Sequence, residues 1–277
     1  VVLKTAHYTQ GAAFECEKHQ VFAREWLPIA VREQLAQPGQ YVSAAPGGWP
    51  MLAACGADGV LRAFRNLCRH RDLQLARQDA GNCEKFHCRH HGWTYDLTGT
   101  LVDAPAAAAP PGAMSQQRLL ALGLQPWGAL ILVNWQAHAA PIAGVADTLW
   151  TAGKSQVGAR MVDAACNWKT LLELLLPGEE VSWLWPLLVL RREQDVTIVD
   201  RIIPRVPMRT RLIRHIYAGE AARHAVQPAL AVLDRLKDEA QQLQAARAQG
   251  VPAERSHPHV AELHARLAAA YAQAGAS

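Results

Sequence analysis

Two short runs hold the most reactive side chains of the sequence: Cys68-Arg69-His70 and Cys88-Arg89-His90-His91, separated by residues 71–87. Thiolate sulfur and neutral imidazole nitrogen are good ligands for borderline and soft metals. Arranged as C-x-H and C-x-x-H, Cys68, His70, Cys88 and His91 fit two chemistries. One is a [2Fe–2S] cluster in which two thiolates hold one iron and two imidazoles hold the other. Neutral imidazole in place of thiolate removes negative charge and raises the reduction potential, so such a cluster moves electrons. The other is a structural zinc ion held by the same four side chains. Common zinc spacings put two cysteines together and two histidines together, whereas each pair here is one of each, which favours the cluster.

Ligands in two distant pairs need two loops that close on one another, and the surrounding sequence supplies hairpins. Asp58-Gly59 separates the apolar runs Pro50–Ala54 and Val60–Phe64, and Thr98-Gly99 separates Thr94–Leu97 from Thr100–Val102. Trp127–Trp135 reads as a buried strand, and the Ala/Pro-rich Ala104–Gly112 reads as a loop. These features predict a small antiparallel β domain over residues 39–140. Residues 1–38 read as partly helical, with Phe22, Trp26, Leu27 and Ile29 as an apolar stripe stopped by Pro38-Gly39, packing on a C-terminal domain over 141–277. There, Asn167–Leu176 reads as a helix ended by Pro177-Gly178. Leu187–Arg191, Val196–Ile203 and Arg209–Tyr217 read as a strand meander, and Ala229–Ala248 and Val260–Ala272 as helices. The expected class is α+β.

Composition narrows the function. The chain has 277 residues, 50% hydrophobic, enough for two cored domains. A net charge of +4 without any Lys/Arg block argues against nucleic acid. Apolar runs such as Ala129–Val133 are too short to span a membrane, and residues 1–30 lack a signal-peptide pattern, so a cytoplasmic protein is expected. Six cysteines are far from disulfide density. Cys83, between the ligand pairs, reads as a free thiol.

Asn66-Leu-Cys-Arg-His-Arg71 and Cys88-Arg-His-His-Gly-Trp-Thr-Tyr-Asp96 resemble the Rieske domain of the Rieske non-haem iron aromatic-ring-hydroxylating oxygenases. Tyr41, Ala63-Phe64-Arg65-Asn66 and Gly99 also stand where that family's pattern has them, and the resemblance covers residues 20–135. Asp72 replaces the glycine usual after C-x-H-R, and Arg89-His90 replaces the usual Pro-Tyr. The resemblance implies a Rieske-type [2Fe–2S] cluster on Cys68, His70, Cys88 and His91. Neither ligand loop has the extra cysteine of respiratory Rieske proteins, which points to the low-potential oxygenase or ferredoxin class. Arg62, Arg65, Arg69, Arg71 and Arg89 surround the loops, either as a solvated rim or as a docking patch for an acidic reductase or ferredoxin.

In that family the second domain, of helix-grip type, holds a mononuclear iron on two histidines and a carboxylate. Asn167-Trp168-Lys169, Glu173 and Pro186 match its motif. Read without gaps, the residue after the Glu becomes Leu174, the acidic relay residue becomes Pro177, and the two histidines become Glu180 and Trp185. Asp234 or Asp238 stands near the place of the carboxylate. His259 and His264 are roughly 140° apart around a helix and share no face, and His215 and His224 are separated by a turn. The resemblance therefore implies a degenerate, shortened catalytic domain without mononuclear iron. It would belong to an electron-transfer or structural subunit of a trimer-based hetero-oligomer, passing electrons from an NAD(P)H-dependent reductase or ferredoxin to the iron of a catalytic α-subunit partner. Two other readings stay open: a free-standing Rieske-type carrier, and a complete oxygenase with atypical iron ligands around His215, His224, Asp234, His259, Glu262 and His264.

Overall fold

Short apolar runs broken by turn residues form strands here, and the longer Ala- and Leu-rich runs form helices. The computed structural model describes residues 2–109, 112–142, 148–193, 195–252 and 257–275. It divides into two units, Trp26–Ala45 with Trp49–Gly144, and Val1–Glu25 with Pro46–Gly48 and Val145–Ser277.

The first unit is antiparallel β. Its strands are β1 Leu27–Val31, β2 Gln40–Ala44, β3 Met51–Cys55, β4 Leu61–Arg65, β5 Ala80–Asn82, β6 Lys85–His87, β7 Thr94–Asp96, β8 Leu101–Asp103, β9 Ala121–Trp127 and β10 Leu130–Asn134. Seven form a sheet in the order β1-β10-β9-β4-β3-β2-β5, and β6-β7-β8 form a smaller one. Both expected hairpins are present: β3 pairs with β4 across Asp58-Gly59, and β7 with β8 across Thr98-Gly99. Asp96 closes the second, its Oδ1 accepting from the backbone N–H groups of Thr98 and Thr100, both at 2.9 Å. Gly99 has φ +84°, and a Cβ there would meet the Phe64 ring at 2.6 Å, so both backbone and space require glycine.

Two expectations are corrected in this unit. Trp26, Leu27 and Ile29 do not continue the N-terminal helix: Leu27–Val31 is a strand paired with β10, so the unit begins at Trp26 and not at residue 39. Pro28 fits there because β1 lies at the sheet edge. The buried strand expected over Trp127–Trp135 is shorter, β10 Leu130–Asn134, because Trp127 ends β9 and the chain turns at Gly128.

The second unit is α+β. It contains α1 Ala6–Thr9, α2 Gly11–Glu17, α3 Thr148–Thr151, β11 Ser155–Ala164, α4 Trp168–Leu175, β12 Val181–Leu184, β13 Leu188–Glu193, β14 Val196–Val206, β15 Arg209–Ala218, α5 Val226–Ala248 and α6 Pro258–Gln273. The sheet order is β11-β15-β14-β13-β12, so the expected three-strand meander is extended by an edge strand on each side. Asn167 caps α4, its side chain accepting from Lys169 N–H at 3.1 Å. Every residue of α4 is buried. Leu171, Leu172 and Leu175 each contribute about 1.5–3 kcal/mol of apolar burial. Trp168, Lys169, Thr170 and Glu173 can be buried only because each finds a polar partner.

Candidate iron–sulfur centre

The two ligand runs fold as conformational copies. The first lies between the bridged residues Leu67 and Gln74, and the second between the paired residues His87 and Thr94. In the first, Cys68 N–H donates to Leu73 C=O and Asp72 N–H donates to Cys68 C=O, both at 2.8 Å. In the second, Cys88 N–H donates to Trp93 C=O at 2.8 Å and Gly92 N–H donates to Cys88 C=O at 2.9 Å. Each loop needs a left-handed residue at its fifth position, and Asp72 (φ 52°) and Gly92 (φ 76°) supply it. That requirement explains the glycine usual at residue 72. Aspartate fills it as one of the few side chains that tolerate this conformation.

These matched turns bring the four ligand candidates together as two pairs, thiol with thiol and imidazole with imidazole. Cys68 and Cys88 are buried and pack in the same core, near enough for Cys88 to help raise the pKa of the Cys68 thiol after burial has done most of it. The His70 and His91 rings lie 4.6 Å apart at 66°, and His70 Nδ1 is a buried atom with no hydrogen-bond partner among the described residues. Burial, then His90, Arg71 and His70, lower the pKa of His91 and favour the neutral imidazole that ligates. Two thiols side by side, two imidazoles side by side and an orphaned ring nitrogen are the donor set a [2Fe–2S] cluster requires.

Side chains around the ligands fix their chemistry. Tyr95 is buried, with its hydroxyl 3.5 Å from Cys68 Sγ, and it accepts from Arg69 N–H at 3.0 Å. With its own acceptor role satisfied, the hydroxyl proton is available to the sulfur. Trp93 stacks on His70 at 5.0 Å and 10°, and its Nε1–H donates to Ala108 C=O at 2.6 Å. The Ala/Pro stretch is therefore more than a loop: Ala104 and Ala108 pack on the domain core, and Pro105 lies where a Cβ on Gly92 would strike at 2.8 Å. Its residues Pro110 and Pro111 lie outside the described residues. Asn66 anchors the first loop, donating to Ser43 Oγ and Ala76 C=O and accepting from Ala76 N–H at 2.7–2.8 Å. Asn66, Trp93 and Tyr95 belong to the ligand motifs, but the sequence alone assigns them no role. Their hydrogen-bonding side chains in an apolar β domain were the available signal.

The arginines separate into two groups. Arg62 is paired with Asp58 at 2.8 Å and Arg65 is half-buried over the Trp135 ring, whereas Arg69, Arg71 and Arg89 are exposed. Cys83 is a free thiol whose pKa burial raises.

The other candidate residues are dispersed. Pro177 follows α4, Glu180 is exposed in the next turn, and the Trp185 ring lies 6.4 Å from that of Trp168 and 5.5 Å from that of Trp183. Asp234 is ion-paired with Arg160 at 2.8 Å, and Asp238 is exposed. His224 is exposed, and His259 lies 4.0 Å from Glu262. His215 is buried on β15 with neither ring nitrogen partnered among the described residues, and burial, then Arg201, pushes its pKa down to about 3. His264 is consumed internally: its Nε2 is 2.9 Å from Glu173 and 3.0 Å from Tyr8 Oη. Glu173 also accepts from Arg247 and Tyr8, both at 2.5 Å. Glu17 likewise accepts from Trp168 Nε1 at 2.6 Å and from Lys169 and Tyr271. Burial alone would raise the Glu173 carboxyl, but His264 and Arg247 hold it below the usual range.

Residues 25–122 match the family described as "Rieske [2Fe-2S] domain". The chain is 34% identical over 134 residues to the benzene 1,2-dioxygenase α subunit of Pseudomonas putida, covering 48% of this chain and 30% of the relative. It is 27% identical over 173 residues to the glycine betaine monooxygenase oxygenase subunit of Pseudomonas aeruginosa, covering 60% and 40%. Thus the chain spans less than half the length of these curated relatives. Among solved structures, the apo form of the quaternary ammonium Rieske monooxygenase CntA superposes with a TM-score of 0.81 at 18% identity, covering 97% of this chain and 94% of that one. At that identity the likeness shows the fold, a Rieske antiparallel β domain with an α+β domain.

Proposed function

Residues 25–122 are a Rieske [2Fe–2S] domain homologous to those of Rieske oxygenase α subunits, and from that premise we propose that this chain is an electron-transfer subunit of a hetero-oligomeric Rieske oxygenase. Cys68 and Cys88 would hold one iron and His70 and His91 the other. The bound cluster would accept and release one electron at a time. The observation that carries this reading is the pair of copied loops, which sets thiol beside thiol and imidazole beside imidazole. Around them this chain's own residues hold the ligands still: Asn66 ties down the first loop, Tyr95 polarises the Cys68 sulfur, and Trp93 with Ala108 keeps water from His70.

The electron would come from an NAD(P)H-dependent reductase or a ferredoxin and go to the mononuclear iron of a catalytic α subunit in a trimer-based assembly. Support for placing that iron elsewhere comes from the ungapped ligand positions. Pro177, Glu180 and Trp185 offer one exposed carboxylate and no imidazole there. His264, the buried histidine of α6, is already bonded to Glu173 and Tyr8.

A second reading, a complete oxygenase, is favoured by the fold likeness to CntA along nearly the whole chain. Iron and acid-labile sulfide counts on the purified chain, with an EPR spectrum after dithionite reduction, decide between them. Two irons and two sulfides, with a Rieske-type signal and no third iron after Fe(II) reconstitution, are expected. A third iron, with turnover by the chain and a reductase alone, sinks the subunit reading in favour of the oxygenase.

A further inference from the structure

Beside the first ligand loop is a recess of about 180 Å³ lined by Arg65, Leu67, Arg69, Asp72 and Leu120. Its size excludes most organic substrates, whose pockets start near ~300 Å³, but admits one short side chain. Arg65 is braced over Trp135 at 4.5 Å, and its Nε is buried with no acceptor among the described residues. Arg69, in the loop's first turn, is exposed. A guanidinium facing the recess matches a carboxylate in geometry as well as charge. Leu67 and Leu120 provide apolar wall for the methylenes that carry such a group. Asp72, also exposed, puts a single negative charge on this otherwise basic rim.

We propose that this recess is the socket for one carboxylate side chain of an acidic electron-donor protein, and that Asp72 on its rim determines which donors fit. The inference rests on the electron-transfer reading and names the partner's contact. Charge complementarity supports it. Arg71 and Arg89 are exposed on the two ligand loops and would steer an acidic protein toward the cluster edge. Arg65 and Arg69 would then grip one of its carboxylates. Asp72 repels a partner surface that is acidic throughout and favours one with a cation or N–H donor next to the gripped carboxylate.

The test uses the cluster-loaded chain and a fluorescein-labelled hexaglutamate peptide, followed by anisotropy at low and at physiological salt. Arg69→Gln, an exposed substitution that leaves the fold intact, is expected to weaken binding about tenfold. Arg71→Gln and Arg89→Gln, outside the recess, are expected to change it less than about twofold. Asp72→Asn keeps a side chain that tolerates the left-handed backbone and is expected to tighten hexaglutamate about threefold, but to leave an alternating Glu-Lys hexapeptide unchanged. Equal losses for all three arginine variants would mean a diffuse basic surface and overturn the socket. Competition by millimolar free acetate, abolished by Arg69→Gln, would assign the recess to a small free carboxylate and overturn protein docking. Neither peptide reports electron transfer, so failure here leaves the subunit reading to its own iron, sulfide and EPR counts.

Discussion

The ligand loops of the β unit and the buried network of the α+β unit contain similar chemical groups put to opposite use. In the loops, thiols pair with thiols and imidazoles with imidazoles while His70 Nδ1 keeps no partner among the described residues. In the network, Glu17, Lys169, Glu173, Arg247 and His264 satisfy one another, with Tyr8, Tyr271 and Trp168 filling the remaining bonds. Donors left over by the fold can take up a ligand. Donors already spent on each other stabilise the fold and can bind little else. His215 breaks this division, being deep in the α+β unit with neither ring nitrogen bonded among the described residues.

The largest expected effect strikes the loops. Cys88→Ser should leave the purified chain without iron and acid-labile sulfide and abolish its EPR signal; retention of two irons would break the contrast at its root. In the network, Glu173→Ala strands Arg247 and His264 in the interior and should cost about 3–5 kcal/mol in urea unfolding. A loss under ~1 kcal/mol would mean the network is not the structural counterpart described above.

His215 sharpens the comparison through pH. Its folded pKa of about 3 lies below the ordinary value of 6.5, so the unfolded chain binds the extra proton in between. Stability from keeping it neutral is complete above pH ~6.5 and falls as pH drops toward 3. His215→Leu removes both unpartnered nitrogens and should flatten that acid limb, adding roughly 1–3 kcal/mol at pH 5. An unchanged slope of unfolding free energy between pH 5 and 6.5 would count against it.

The smallest effect concerns tuning. Tyr95→Phe removes the hydroxyl facing Cys68 Sγ and should lower the midpoint potential by roughly 50 mV, about the worth of one weak hydrogen bond to the charged sulfur. Redox titration by EPR or circular dichroism reads this directly, with iron content unchanged.

Both hairpins, α4 and the two long C-terminal helices were legible because each rests on local signals: Asp-Gly and Thr-Gly turns, the Asn167 cap, and runs of Ala, Leu and Gln. Among the misread or missed strands, β1, β5, β6, β11 and β12 lie at sheet edges, whereas β2 and β9 lie inside theirs. An edge strand pairs on one side only, so its identity depends on a neighbour distant in sequence: Leu27 opposite Val133, Ser155 opposite Ala218. The N-terminal boundary moved for the same reason, since nothing in Leu27–Val31 itself announces pairing with Leu130–Asn134.

The candidate site divides likewise. Residue types, order and spacing by themselves determined the four ligand candidates, because a cluster's demand for two thiolates and two imidazoles is met within two short segments. Only the tertiary structure decided that Asp72 and Gly92 make the two loops copies of each other, and that an Ala-rich loop seals Trp93 over His70. It also decided that His264 and Glu173, 91 residues apart, spend their polar atoms on one another. Which donors remain available is set by long-range packing, because a buried polar group bonds to whatever the fold brings within about 3 Å, however far away it lies in the chain.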